Sequence, residues 1–148
     1  MAIEWDYLII EMVLLAGIIW FTVYIEHFAY RRSQLNEDKK TMKNIIRYIK
    51  NDLENRLGFI DESLQFKDYK PFFTDMWDAV ILSGKQSLLQ FELFQSIQRS
   101  YSWMKYYNSE LDISKKGDID EKILEELLEN VKKSIEKSIS KINDFKKI

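Results

Sequence analysis

The sequence predicts an all-α protein: one N-terminal transmembrane helix, followed by a cytosolic helical bundle and a long amphipathic C-terminal helix. Three observations carry this expectation. The run from Tyr7 to Ile25 is apolar except for Glu11 and Thr22. A single proline, Pro71, and four glycines are all that break the chain's 148 residues. Beyond the apolar run, hydrophobic residues recur at helical rather than alternating spacing.

At about 1.5 Å per residue, a helix from Tyr7 to Ile25 reaches roughly 28 Å, close to the hydrocarbon thickness of a bilayer. A secretory signal peptide would open on a basic segment and close on a small-residue cleavage site. Here the chain opens on MAIEWD, with acids and no base, and the run closes on Glu26-His27-Phe28-Ala29-Tyr30; cleavage is not expected. A second alternative buries the run in a soluble core, in which case the protein would partition into water without detergent. Arg31 and Arg32 end the run, and Lys39, Lys40, Lys43, Arg47 and Lys50 follow, whereas only Glu4 and Asp6 precede it. The positive-inside rule then predicts a single-pass cell-membrane protein, with residues 1–30 as an anchor whose N-terminus lies outside and residues 31–148 as a cytoplasmic domain. Trp5, Tyr7, Trp20 and Tyr24 suit the interfacial levels.

A carboxylate within a span costs roughly 2.5 to 3.5 kcal/mol at the bilayer centre and less near an interface. Glu11 is one turn inside, so snorkelling to water is one reading. At about 100° per residue, Thr22 falls about 20° from Glu11 and Glu26 about 60° away, with Ala29 in the same direction as Glu11. Glu11, Thr22 and Glu26 thus form a weakly polar stripe suited to a membrane-protein partner. In a close homo-oligomer the Glu11 side chains would repel one another unless protonated or spread apart. A partner carrying Lys or Arg would remove that conflict.

Leu35, Met42, Ile45, Ile46, Ile49, Leu53 and Leu57 predict a juxtamembrane helix over 31–58, continuous with the span and stopped by Gly58. From Gly58 to Pro71 the pattern loosens, but Phe59, Ile60, Leu64, Phe66 and Tyr69 predict a segment folded over the core. A helical hairpin is expected over 74–108. Its short first helix, Asp75 to Ser83, is capped by Thr74 or Asp75 and stopped by Gly84. Its second, from about Gln86 to Asn108, buries Leu88, Leu89, Phe91, Leu93, Phe94, Ile97, Tyr101, Met104 and Tyr107. Ser109 to Asp118, ending Lys115-Lys116-Gly117-Asp118, reads as an exposed linker. The C-terminal helix, 118–147, has an apolar seam of Ile123, Leu124, Leu127, Leu128, Val131, Ile135, Ile139, Ile142 and Phe145. Acids Glu121, Glu125, Glu126 and Glu129 occupy its first half, and Lys132, Lys133, Lys137, Lys141, Lys146 and Lys147 its second, as the helix dipole favours. The seam can pack on its own domain or pair with a neighbouring chain; Ser134, Ser138 and Ser140 make it a poor obligate coiled coil.

The string Phe73-Thr74-Asp75-Met76-Trp77-Asp78-Ala79-Val80-Ile81-Leu82-Ser83-Gly84-Lys85 resembles the Thr-Asp-x-Trp, then Ser-Gly, core of a widespread group of uncharacterised bacterial and archaeal proteins. In that group an apolar helix, a tyrosine and an asparagine follow, matched here by Leu88, Leu89, Leu93, Ile97, Tyr101 and Asn108. An acid, aliphatic, then asparagine element precedes it, and Asp52-Leu53-Glu54-Asn55 is similar with the asparagine one place early. Many of those proteins resemble this one in having a single N-terminal span. The resemblance covers roughly Ile49 to Asn108, and it implies a helical cytosolic module without implying an activity.

Read physically, Trp77 buries a large ring whose indole N–H needs a partner. Ser83-Gly84 lets the chain leave one helix in a left-handed conformation and enter the next at a sharp angle. Tyr101 and Asn108 lie seven residues apart and share a helix face, from which they can reach the Asn55 region. Trp77, Ser83, Gly84, Tyr101 and Asn108 therefore form either an interhelical polar cluster or the wall of a small-molecule pocket.

Little supports catalysis. Cysteine is absent, and the lone histidine, His27, falls at the inner membrane edge. The sequence has no H-x-x-x-H, no Gly-rich phosphate loop and no G-x-S-x-G. Asp75 and Asp78 give one side of a cation site but no further oxygen ligands nearby. No enzyme activity, cofactor or metal is expected. A net charge of −2 argues against a broad nucleic-acid surface, although the bases after Arg31 can attract anionic lipid. The expected partners are the lipid bilayer and a membrane protein or further copies of the chain. The functional expectation is a membrane-anchored helical interaction module, as an accessory subunit or a self-associating scaffold of a membrane complex; the alternative is a membrane-tethered sensor of a small molecule or lipid.

Overall fold

The computed structural model describes residues 2–117 and 120–145, with side chains from Trp5 onward. Among these residues there is no β-strand. Four α-helices follow in order: α1 (Ala2–Phe66), α2 (Asp75–Leu82), α3 (Phe91–Ser114) and α4 (Glu121–Phe145), with a short 3₁₀ helix, Lys85–Leu88, between α2 and α3. The chain divides into two units, Met1–Thr41 and Met42–Ile148. Residues 31–41 carry no buried side chain. The boundary therefore lies at the onset of core packing near Met42, and not at the residue 30/31 boundary expected from charge. Glu4 as a side chain, Asp118, Lys146 and Lys147 lie outside the described residues.

The first unit is helix throughout its described length. Residues 5–40 are exposed without exception, including Trp5, Leu14, Phe21 and Ile25. The most apolar stretch has a mean hydropathy of 2.3, and none of it is buried within the chain. By length and composition this helix can cross a membrane. It is not the covered core helix that the soluble alternative requires.

The second unit has a true core. Ile45, Ile46, Ile49, Leu53 and Ile60 of α1 pack with Trp77 and Val80 of α2, Leu93, Ile97, Met104 and Leu111 of α3, and Leu124, Leu128, Val131, Ile135 and Ile142 of α4. Each such side chain contributes about 1.5–3 kcal/mol by leaving water, which is what holds four short apolar stripes together. The C-terminal helix spends its seam inside its own unit, chiefly against α3. Two of its serines, Ser134 and Ser138, mark the contact. Ser138 Oγ lies 2.9 Å from Ser96 Oγ and 2.8 Å from Ser100 Oγ, and Ser134 Oγ lies 3.2 Å from Ser100 Oγ. The falling numbers on α4 against rising numbers on α3 make the pair antiparallel.

Several expected boundaries are corrected. Gly58 does not stop the helix expected over 31–58: α1 continues to Phe66, because Ile60 and Ser63 extend its buried face past the glycine. The chain leaves α1 instead at Lys67, in a left-handed conformation with φ 53°. Gly84, at φ 72°, does end the α2 region as expected. The helix expected from Gln86 begins at Phe91, since the 3₁₀ helix and an extended Leu89-Gln90 link intervene. The expected linker is mostly helix: α3 runs to Ser114 because Leu111 is buried. The close hairpin is consequently α3–α4, not 74–108. Leu35, Phe66, Phe91 and Ile123 are exposed at their helical positions. Thr74 is the N-cap residue of α2, but its hydroxyl donates to Asp78 Oδ2 at 3.0 Å rather than accepting from the helix end.

Candidate functional site

The five predicted residues of the second unit do not form one cluster. Trp77 and Tyr101 stack, with ring centroids 5.6 Å apart and planes 8° from parallel, and Phe94 lies against the indole at 5.8 Å. The indole N–H donates to Gln98 Oε1 at 2.7 Å. Trp77 is 1% exposed, its ring covered by Tyr101 and Phe94. Ser83 and Gly84 lie at the exposed turn beyond α2, where Ser83 Oγ donates to the Val80 carbonyl. Asn108 is committed elsewhere. Its side chain accepts from the Phe72 backbone N–H at 2.7 Å and donates to the Phe72 carbonyl at 2.8 Å, clamping the loop before α2. Phe72 in turn meets Phe59 and Tyr107 edge-on.

The Tyr101 hydroxyl does reach α1, but its acceptor is Asp52 Oδ2 at 2.6 Å, not Asn55, which is exposed. Asp52 Oδ1 accepts from Arg56 at 2.9 Å. One carboxylate thus fastens α3 to α1, with its charge matched one turn along its own helix. Burial first, and then the Asp52 carboxylate, push the Tyr101 hydroxyl far above the usual phenol range. Arg56 Nε is buried without a hydrogen-bond partner, as is the Tyr107 hydroxyl, which burial pushes up to about 12. On the rim, Lys105 donates to Asp78 Oδ1 at 2.6 Å and holds that carboxyl below its usual range. Asp78 is therefore engaged by a lysine rather than turned toward Asp75. Among the described residues no group of three His, Asp or Glu side chains is arranged to hold a metal.

The arrangement is a three-helix fastening: Asp52 and Arg56 from α1, Trp77 from α2, Gln98 and Tyr101 from α3. The sequence placed Asp52 only in the acid, aliphatic, asparagine element and looked to Asn55 as the partner, and it did not single out Arg56 or Gln98. The i,i+4 spacing of Asp52 and Arg56 signalled a paired acid, and Gln98, one turn before Tyr101 on the same face, signalled a partner for a nearby indole.

The three stripe residues of the first unit, Glu11, Thr22 and Glu26, are all exposed. Thr22 Oγ1 donates to the Ile18 carbonyl at 2.9 Å, so its hydroxyl is satisfied within the helix. Trp20 and Tyr24 stack at 5.8 Å. His27 is likewise exposed.

No protein family, curated protein or solved structure matches the chain.

Proposed function

We propose that this chain is a single-span membrane protein whose second unit is a cytosolic helical interaction module, serving as an accessory subunit or a self-associating scaffold. The observation that carries the reading is the apolar surface of residues 5–30, which is exposed throughout and which no other described residue buries. A surface of that size in water would drive aggregation, and a bilayer removes it from water at no cost to backbone hydrogen bonds, all of which a helix satisfies internally. The excess of Arg and Lys after Tyr30 supports an N-terminus outside.

At Trp77 a helix-fastening role is favoured over a ligand pocket, because Gln98, Asp52 and Asn108 are each engaged by a neighbouring element. The sensor alternative needs space beside Trp77, and both Tyr101 and Phe94 occupy it.

The chain has no cysteine, so single cysteines can be introduced freely. Ala2→Cys and Ser114→Cys, labelled with a membrane-impermeant maleimide in intact cells, test the topology. Labelling at position 2 alone is expected, and labelling at 114 alone would invert it. Native mass spectrometry after gentle extraction then separates a homo-oligomer from a complex with a second protein. Loss of that complex in Glu11→Gln would assign the Glu11–Thr22–Glu26 stripe to the contact; an unchanged complex would mean that Glu11 snorkels. A chain found in the aqueous phase without detergent would refute the reading.

A further inference from the structure

Between α3 and α4 lies an open groove of about 240 Å³ lined by Arg99, Trp103, Asn130, Lys133, Ser134 and Lys137. It contains three cations and no carboxylate, and none of the three has a carboxylate partner among the described residues. We propose that this groove binds a phosphate-type dianion. The proposal is independent of the membrane reading.

The serine contacts set the register that builds the groove. Ser96 opposite Ser138 and Ser100 opposite Ser134 place Arg99 level with the turn that carries Lys137, and Trp103 level with Asn130 and Lys133. Arg99 and Trp103 are one turn apart on α3, as are Lys133 and Lys137 on α4, so each helix lines its wall with an i,i+4 pair. Because Ser96, Ser100, Ser134 and Ser138 are small and hydrogen-bond one another, the helices approach closely and the longer side chains rise on either side of the contact. Acids are also sorted away. At about 100° per residue, Lys137, Asn130 and Ser134 lie about 40°, 60° and 100° to one side of Lys133, whereas Glu129 and Glu136 lie about 40° and 60° to the other. Lys132, the neighbouring base, is instead paired with Asp61 at 2.8 Å.

The donors suit a doubly charged tetrahedral anion. Arg99 offers a fork of N–H groups, Lys133 and Lys137 offer ammonium points, and the Trp103 indole and Asn130 amide offer neutral donors. The half-buried Trp103 ring gives the floor an apolar side on which an attached organic group can rest. The dianion can come from a soluble phosphate ester or from a phosphomonoester lipid headgroup.

The test uses the full-length protein in nonionic detergent micelles, titrated calorimetrically with inorganic phosphate at pH 7.4 and physiological ionic strength. Saturable binding is expected. The double variant Lys133→Gln/Lys137→Gln should weaken it by roughly tenfold or more, as loss of charge-assisted hydrogen bonds requires. Lys115→Gln/Lys116→Gln, which removes the same charge from the turn after α3, should leave it unchanged. Helicity by circular dichroism checks that both variants fold. Doping the micelles with phosphatidic acid separates the sources: competition with inorganic phosphate identifies a lipid headgroup site, and an unaltered titration identifies a soluble ligand. Absence of saturable binding, or equal weakening by the two double variants, overturns the proposal.

Discussion

The Asp52–Tyr101 contact allows the fastening of α1 to α3 to be measured. Tyr101→Phe removes one hydroxyl and keeps the ring, so the stack on Trp77 survives and no cavity opens. What is lost is a 2.6 Å hydrogen bond to a carboxylate, made by a side chain that is 0% exposed. Hydrogen bonds to charged groups contribute about 1.5–3 kcal/mol. Asp52 keeps Arg56, and its side chain is 15% exposed, so the lower part of that range applies. The expected loss is about 1.5–2 kcal/mol, or roughly 6–8 °C in Tm for a unit of this size. Guanidinium unfolding of the full-length protein in nonionic micelles, followed by tryptophan fluorescence, reads this directly. A double-mutant cycle with Asp52→Ala should return a coupling of about 1–2 kcal/mol. Lys105→Ala, which breaks a pair whose members are 52% and 40% exposed, should cost less than about 1 kcal/mol. A coupling below about 0.5 kcal/mol, or a Lys105→Ala loss matching that of Tyr101→Phe, would refute the argument that burial makes Asp52 the principal tie.

Alkaline pH should unfold the second unit through its buried phenols. Tyr101 and Tyr107 are both raised in the folded state, so the unfolded chain loses their protons first, and stability is fully present below pH about 10 and falls as pH rises above it. Each contributes a slope of about 1.4 kcal/mol per pH unit. Tyr107→Phe, which removes an unpartnered hydroxyl, should flatten the fall without lowering stability at pH 7, as checked by denaturant midpoints across pH 7 to 11. Gly58→Ala should stabilise by about 1 kcal/mol, because the position is helical and an added Cβ meets nothing within 4 Å. Gly84→Ala should destabilise by about 1 kcal/mol, because φ is 72° there; thermal melts of the two variants should move in opposite directions. Asn108→Ala removes both ties to Phe72 and should cost about 2 kcal/mol, seen as faster tryptic cleavage after Lys67 in the loosened loop.

The all-α class and the main helical stripes could be read from the sequence because both depend on local patterns. Apolar residues repeat at 3.6-residue spacing, β-forming alternation is absent, and a long apolar run interrupted only by Glu11 and Thr22 is visible without any partner. Helix ends were less legible. Gly58 looked like a stop because glycine is a poor helix former, but the loss of about 1 kcal/mol is outweighed by burying Ile60 on the same helix. Leu111 drew α3 through the expected linker in the same way.

The sequence by itself determined that helices form, where one of them is apolar enough to cross a bilayer, and that Trp77 and Tyr101 belong to a packed interior. Only the tertiary structure decided which polar group meets which. Tyr101 finds Asp52 rather than Asn55, Asn108 turns to the Phe72 backbone, and Ser134 and Ser138 of α4 meet Ser96 and Ser100 of α3. Hydrophobic burial is non-directional and can be read from composition and period. A hydrogen bond requires two atoms within about 3 Å, and that proximity exists only once helices distant in sequence have fixed their register.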